Sequence, residues 1–255
     1  MRIVSYNILD GGVGRADPIA EVIAAQNADI VVLIEADDEE VLERLSRRLD
    51  MDYIRAQGSG RHAAAILSRW TIARSVNHGA LRQGPPCLVE ATIEQRGGEQ
   101  WIVGAVHFHP RATEADELVR LRQMEHLLEA FGGYRREGRP HILAGDFNAN
   151  SPIQHIDPAL CQPATRQAWE ANGGMIPRRA VSMLLDAGYA DTLAVVAGEQ
   201  TAGRSYTFTT QYPGQRIDYI FTFGYPRERL RSAWIEQDRL ARFASDHYPV
   251  GLEIE

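Results

Sequence analysis

The chain contains no lysine; all 27 of its basic residues are arginine. This excludes a phosphate-binding loop built on a lysine, and it excludes lysine Schiff-base chemistry. No Gly-x-Ser-x-Gly turn occurs either, which weighs against a serine nucleophile on a strand-to-helix elbow. Cysteine is scarce. Cys87 and Cys161 have neither metal-ligand nor redox spacing, and two such thiols fit a reducing compartment without structural disulfides. No apolar run approaches the roughly 18 residues that suggest a membrane span. The first residues, Met1-Arg2-Ile3-Val4-Ser5-Tyr6-Asn7, read directly as a strand, so the expectation is no signal peptide and a cytoplasmic protein. With 34 acidic residues and a net charge of −7, the chain is not composed to coat nucleic acid.

What is present describes a soluble globular protein. A chain of 255 residues with 44% hydrophobic and 24% charged content can bury a large core. No repeat, low-complexity tract or clean linker divides it, which predicts one domain over residues 1–255, and a monomer.

Residues 2–8 predict a buried strand, followed by a glycine loop. Asp17-Pro18 predicts a helix start, with Asp17 as cap and Pro18 in the first turn. Residues 29–34 predict a second buried strand that delivers Glu35, and Asp38 is placed to cap a helix carrying Val41, Leu42, Leu45 and Leu49 on one face. Short strands are expected at Ala63–Leu67, Thr71–Asn77, Leu88–Glu94 and Trp101–His107, with a hairpin at Gly97-Gly98. Glu114–Phe131 predicts a helix with Leu118, Leu121, Met124 (or Glu125), Leu128 and Phe131 inward. His141–Ala144 is a further strand, and residues 149–175, rich in Pro, Asn and Gly, predict a long surface loop. Pro177 is expected to open a helix with Val181, Leu184 and Leu185 inward and Gly188 as its stop. Tyr206–Thr209, Arg216–Thr222, Leu230–Glu236 and Pro249–Ile254 complete the strands. The order predicts an α/β (α+β) four-layer sandwich: two mixed β-sheets face to face, with helices outside.

Several strands end on polar residues. Asn7 ends the first, Glu35 the second, and His107, followed by His109, a middle one. Asp146 and Asn148 follow an apolar run in Gly145-Asp146-Phe147-Asn148. Strand alternation would put those two on one face, and Gly145 would let a ligand or metal approach the backbone. The structural alternative is a strand running into an Asx-type turn. Asp218 lies within an apolar strand, where an unpartnered carboxylate is costly. Asp246-His247, just before the last strand, offers it an imidazole. The pool of carboxylates, amides and imidazoles, without thiolates, suits Mg²⁺, Mn²⁺ or Ca²⁺.

Seven short segments in order, Tyr6-Asn7-Ile8, Leu33-Ile34-Glu35, Ile66-Leu67-Ser68-Arg69, Val106-His107-Phe108, Gly145-Asp146-Phe147-Asn148, Arg216-Ile217-Asp218-Tyr219 and Ser245-Asp246-His247, resemble those of the endonuclease/exonuclease/phosphatase superfamily. The resemblance implies a divalent-metal-dependent phosphoesterase that drives in-line attack of water on phosphorus. It implies Glu35 as the principal metal carboxylate, assisted by Asn7 and Asp246. Asp146 and Asn148 would orient water and hold phosphate, Asp218 and His247 would form a carboxylate–imidazole dyad, and His107 would donate to a phosphate oxygen or the leaving group. Leu9 stands where the abasic-site endonucleases carry an acid, and His107 where they use tyrosine. Both departures favour the phosphatase, sphingomyelinase and deoxyribonuclease side. His109, sharing a strand face with His107, and Arg111, a phosphate clamp, are further substrate-binding candidates.

The expected substrate is a small or lipid-derived phosphoester. The alternative is a nuclease acting on DNA or RNA. A zinc hydrolase using His107-x-His109 is disfavoured, because Arg111 stands where such enzymes carry aspartate. A silent binding module is disfavoured because the set of reactive residues is complete. Specificity would lie in the loops Leu81–Pro86 and Ala149–Met175.

Overall fold

The computed structural model describes residues 1–58, 60–80 and 87–255, so the loop Leu81–Pro86 lies outside the described residues. One sheet contains β1 (Arg2–Asn7), β2 (Ile30–Ile34), β3 (Asp52–Gln57), β4 (Ala63–Ser68), β11 (Leu230–Ile235) and β12 (Val250–Ile254), in the order β11-β12-β1-β2-β4-β3. The other contains β5 (Thr71–Asn77), β6 (Cys87–Glu94), β7 (Gln100–His107), β8 (His141–Asp146), β9 (Ala190–Asp191) and β10 (Asp218–Phe223), in the order β5-β6-β7-β8-β10-β9. Each sheet has a parallel pair at its centre, β1 with β2 and β7 with β8.

Three apolar cores hold the layers. Ile3, Val32 and Ile34 meet Val89, Val103 and Ala144 between the sheets. On the outer face of the first sheet lie α1 (Ala16–Ala25) and α2 (Glu39–Leu49), through Ile19, Val22, Leu42 and Leu45. On the outer face of the second lies α3 (Glu114–Ala130), through Met124 and Leu127, with Val181 and Leu184 of the Arg179–Asp186 helix. The predicted sandwich is the observed one.

The topology explains why polar residues gather. Asn7 pairs with Ile34 at the finishing ends of two parallel strands, and His107 pairs with Asp146 at the finishing ends of another two. β10 runs antiparallel to β8 and starts with Asp218 opposite Asp146. β12 runs antiparallel to β1, so the segment before Val250 enters at the same end. One edge of the sandwich therefore receives a functional residue from every central strand.

Several local expectations are corrected. Helix α1 starts at Ala16 with Arg15 as its cap residue, and Asp17 instead accepts Arg44 and Arg48, each at 2.5 Å. Helix α3 is capped by a reciprocal Thr113–Asp116 box. Its buried face is Glu117, Arg120, Gln123, Met124 and Leu127, while Leu118 is 50% exposed. The inward side is rotated because an internal ion pair, Arg120 Nε to Glu117 Oε2 at 2.8 Å, occupies part of it. Residues 149–175 contain a helical turn at Pro158–Leu160 and a helix, Pro163–Ala171, whose Thr165 and Ala168 are buried. The next helix begins at Arg179, two residues beyond Pro177. Tyr206–Thr209 forms only isolated bridges from Phe208 to Gln215 and His247. Gly145 leaves no room for a ligand: a Cβ there would collide with the Val106 carbonyl of the adjoining strand.

Beside the edge strand β9, buried Arg216 grips Asp191 with two hydrogen bonds, at 3.0 and 2.6 Å, and lies over the Tyr219 ring. Removing one partner of such a pair strands the other charge in the interior. Asp191→Ala is expected to cost about 3–5 kcal/mol of stability, read from urea unfolding. A loss under about 1 kcal/mol would show that Arg216 finds water instead.

Candidate active site

The first half of the site hangs from β1 and β2. Asn7 donates its amide to Glu35 Oε1 at 3.3 Å and to Asp146 Oδ2 at 3.2 Å, while its own oxygen accepts from Leu9 N–H at 3.1 Å. Glu35 Oε2 accepts from Asp10 N–H at 2.8 Å. Leu9, Asp10, Glu35 and Asn148 all take the left-handed backbone region, with φ between 46° and 59°. Non-glycine residues are held there only when the surroundings over-determine them, and such strain clusters at functional sites.

The second half is buried. His247 Nδ1 meets Asp218 Oδ2 at 2.9 Å, and the Asp218 backbone N–H is anchored on Thr207 Oγ at 3.2 Å. His247 Nε2 and His107 Nε2 each lie 3.8 Å from Asp146 Oδ2. Asp146 Oδ1 accepts from Asn148 N–H at 2.8 Å, and the Asn148 amide donates to Phe108 O at 3.0 Å. The strand thus ends at Asp146, and Asn148 completes an Asx-type turn instead of continuing the alternation.

Burial and charge set the protonation states. Burial opposes charge on His247, but Asp218, reinforced by Asp146 and Asp246, raises it to about 10. His247 is therefore an imidazolium at neutral pH. His107 moves the other way: burial, then the neighbouring His62 and His247, lower it to about 3. It faces the site as a neutral imidazole, with a buried Nδ1 that has no hydrogen-bond partner among the described residues. Burial followed by Asp218 pushes Asp146 above the usual carboxylate range. Burial also raises Asp246, where His247 pulls down and Glu35 pushes up.

A cation fits this arrangement. Asp246 Oδ1 is buried without a hydrogen-bond partner, and Asp246 feels the negative charge of Glu35. An orphaned carboxylate oxygen, 3.9 Å from His247 Nε2, together with the Glu35 carboxylate and the Asn7 amide that meet at 3.3 Å, offers hard-oxygen donors. Asp10, Glu35 and His62 also offer ligand atoms within 4.8 Å of one another, as do Asp146, Asp218 and His247.

The sequence reading missed part of this. Asp10, on the left-handed turn after β1, brings a carboxylate within 4.8 Å of ligand atoms of Glu35 and His62, and its Oδ1 accepts from Arg61 at 3.1 Å. Asp37 holds His62 Nδ1 at 2.7 Å, and the His62 ring lies 5.7 Å from that of His107. The Phe208 ring packs 4.5 Å from that of His247. By contrast, the His109 ring is engaged by Asp116 at 2.8 Å at the start of α3. Arg111 instead lines a cavity that begins at Asn148.

The profile of the Endonuclease/Exonuclease/phosphatase family matches residues 4–247. The chain belongs to this family. Membership makes it a phosphoesterase of a family that uses divalent metals. Solved structures agree on the fold. An AP endonuclease from Archaeoglobus fulgidus is similar at 19% identity and TM-score 0.72, covering 100% of this chain and 99% of that one. The Neisseria 3′ phosphatase NExo, bound to product DNA hairpin, is similar at 22% identity and TM-score 0.72, with coverage of 100% and 99%. A mannosyl-6-phosphatase from Bacteroides thetaiotaomicron is similar at 18% identity and TM-score 0.67, again with coverage of 100% and 99%. No curated protein sequence matches the chain. Among the described residues, no helix is long and apolar enough to cross a membrane.

Proposed function

We propose that this family member hydrolyses a small or lipid-derived phosphoester with Mg²⁺, or Mn²⁺ or Ca²⁺ in its place, in preference to duplex DNA. Asn7, Glu35 and Asp246 would hold the cation, which supplies charge neutralisation at the phosphate oxygens when bound. Asp146 accepts a hydrogen bond from the attacking water and aligns it in line with the leaving oxygen. His247, kept charged by Asp218, stabilises the negative charge that develops on phosphorus oxygens. The neutral His107 offers one N–H to a phosphate oxygen or the leaving group, and Asn148 holds the phosphate.

The observation that carries the choice of substrate is the state of the arginine pairs Arg47-Arg48, Arg135-Arg136 and Arg178-Arg179. Gripping a duplex takes several free cations on one face. Here Arg48 is bound by Asp17 at 2.5 Å, and Arg179 by Glu114 at 2.5 Å. Arg178 Nη1 donates to the carbonyls of Ser151 and Pro152, each at 3.0 Å, and Arg135 Nη2 to Leu128 O at 3.2 Å. These side chains brace loops and helix ends.

A nuclease acting on DNA or RNA is the second reading, favoured by the activities named for the Archaeoglobus and Neisseria structures. Activity on plasmid, short duplexes and small phosphodiesters, each at two salt concentrations, separates the readings. The expected result is turnover of the small esters with a shallow salt response. Fast plasmid nicking that collapses as salt rises, with negligible small-ester turnover, would establish the nuclease. Absence of metal-dependent turnover on every ester would leave a silent binding module.

A further inference from the structure

Beside the reacting centre lies a cavity of about 520 Å³, within the range of small-molecule sites (roughly 300–1,000 Å³). Asn148, Phe208 and Ile217 belong to its wall, so it adjoins the site at the residue proposed to hold phosphate and shares Phe208 with the His247 imidazole. Its floor is the small apolar cluster of Ala112, Ala168 and Ile176. The Pro163–Ala171 helix forms one side, with the methyl groups of Ala164, Ala168 and Ala171 beside Thr165 and Gln167.

The walls are already fixed. Arg120, buried and paired with Glu117, donates to the carbonyls of His109 at 3.1 Å and Arg111 at 2.5 Å, which holds the strap of residues 109–111 in place. Arg111 itself sits in the left-handed region at φ 73°. Gln215 is tied to Asn150 at 2.8 Å and to Thr165 at 2.7 Å. A rigid wall spares the ligand the cost of ordering it. In contrast, the side chains of Gln162, Gln167 and Arg111 line the cavity without a side-chain hydrogen bond among the described residues, and no carboxylate lines it.

An aromatic ring, a floor of methyl groups, two unengaged amides and one free guanidinium together specify a ligand chemistry. We propose that this cavity seats the alcohol arm of the ester, and that this arm is an uncharged ring with an apolar face and hydrogen-bonding groups on its edge, a nucleobase or a sugar. The inference rests on the phosphoesterase reading and names the substrate class for it. The apolar face lies against Phe208 and the alanines. The edge meets Gln162, Gln167 and Arg111. A cavity of this size has room for one such ring.

Calorimetric titration of the whole protein with Ca²⁺ present tests this, using thymidine 5′-monophosphate, glucose 6-phosphate and methyl phosphate as probes. At least one ring phosphate is expected to bind ten or more times tighter than methyl phosphate, and the tighter of the two identifies a base or a sugar. Ala164→Trp, on an exposed position of the helix, is expected to bring the ring-to-methyl ratio close to one. Ala171→Trp, also exposed, is a second blocking variant should the first unfold, as judged by thermal melting. Equal affinities for all three phosphates in the parent protein, or a ratio unchanged in a folded tryptophan variant, would overturn the pocket while leaving the phosphoesterase standing. No binding of any phosphate, together with no turnover of any ester, would overturn both.

Discussion

Asp218→Asn is expected to lower kcat by about 10³–10⁴-fold while leaving the fold intact, because the aspartate acts through His247. The amide is nearly isosteric and keeps the Asp218 backbone N–H on Thr207. It can still face Nδ1, but it cannot compensate the charge of an imidazolium at 2.9 Å. The His247 pKa is therefore expected to fall from about 10 towards the ordinary imidazole range, part-way only, since Asp146 and Asp246 also support the charged form. NMR titration of the ring reads this directly, and a merely structural Asp218 would leave it unmoved. The second readout is additivity. Groups that act as a unit lose their function together, so Asp218→Asn with His247→Ala should be little worse than His247→Ala alone. If the two losses multiply in the double variant, the dyad does not exist as a unit.

Why the dyad was legible while other parts of the site were not follows from the cost of burial. A carboxylate between Ile217 and Tyr219 on an apolar strand demands a partner, and Asp246-His247 supplies one before another apolar strand. The same reasoning found Asn7, Glu35, His107 and Asp146, each closing a run of buried residues. Asp37 escaped because it lies in Glu35–Glu40, where acidic residues read as a solvated loop, and His62 because no apolar pattern leads into it. Only the fold shows that Asp37 also accepts the Ala63 N–H at 2.7 Å and so fixes the entry to β4. The helix in residues 149–175 was hidden by its composition: its buried positions are Thr165 and Ala168, too weakly apolar to mark a period against the surrounding Pro, Asn and Gly. Helix α3 misled in the opposite sense. Buried Glu117 and Arg120 look like surface residues until their mutual bond is seen, and Leu118 looks like core. The turn of chain at Asn148 was visible only as one of two alternatives, since its choice depends on the Phe108 carbonyl just beyond β7.

Glu35→Gln is expected to abolish most turnover, by about 10³-fold or more, and to separate metal binding from folding. Excess chelator should abolish the activity of the parent protein, and Mg²⁺ or Mn²⁺ should restore it. Glutamine keeps the volume and one acceptor for the Asn7 amide, but it loses the charge a cation needs. Without metal, that charge is a burden on its neighbours, because Glu35 raises both Asp246 and Asp146. In chelator the variant is therefore expected to be at least as stable as the parent, the relieved repulsion offsetting the weaker acceptor for Asp10 N–H. Adding Mg²⁺ reverses the order. A ligand that binds only the folded state at 100 times its Kd contributes about 2.7 kcal/mol, and the parent should gain on that order. The variant should gain almost nothing, and calorimetric Mg²⁺ affinity should fall in step. This crossing of stabilities needs no substrate, so it holds whichever ester the enzyme cleaves. Full activity of Glu35→Gln in metal-free buffer, or an equal Mg²⁺ stabilisation of both proteins, would remove Glu35 from the metal centre and leave the cation to the buried Asp146, Asp218 and His247 group.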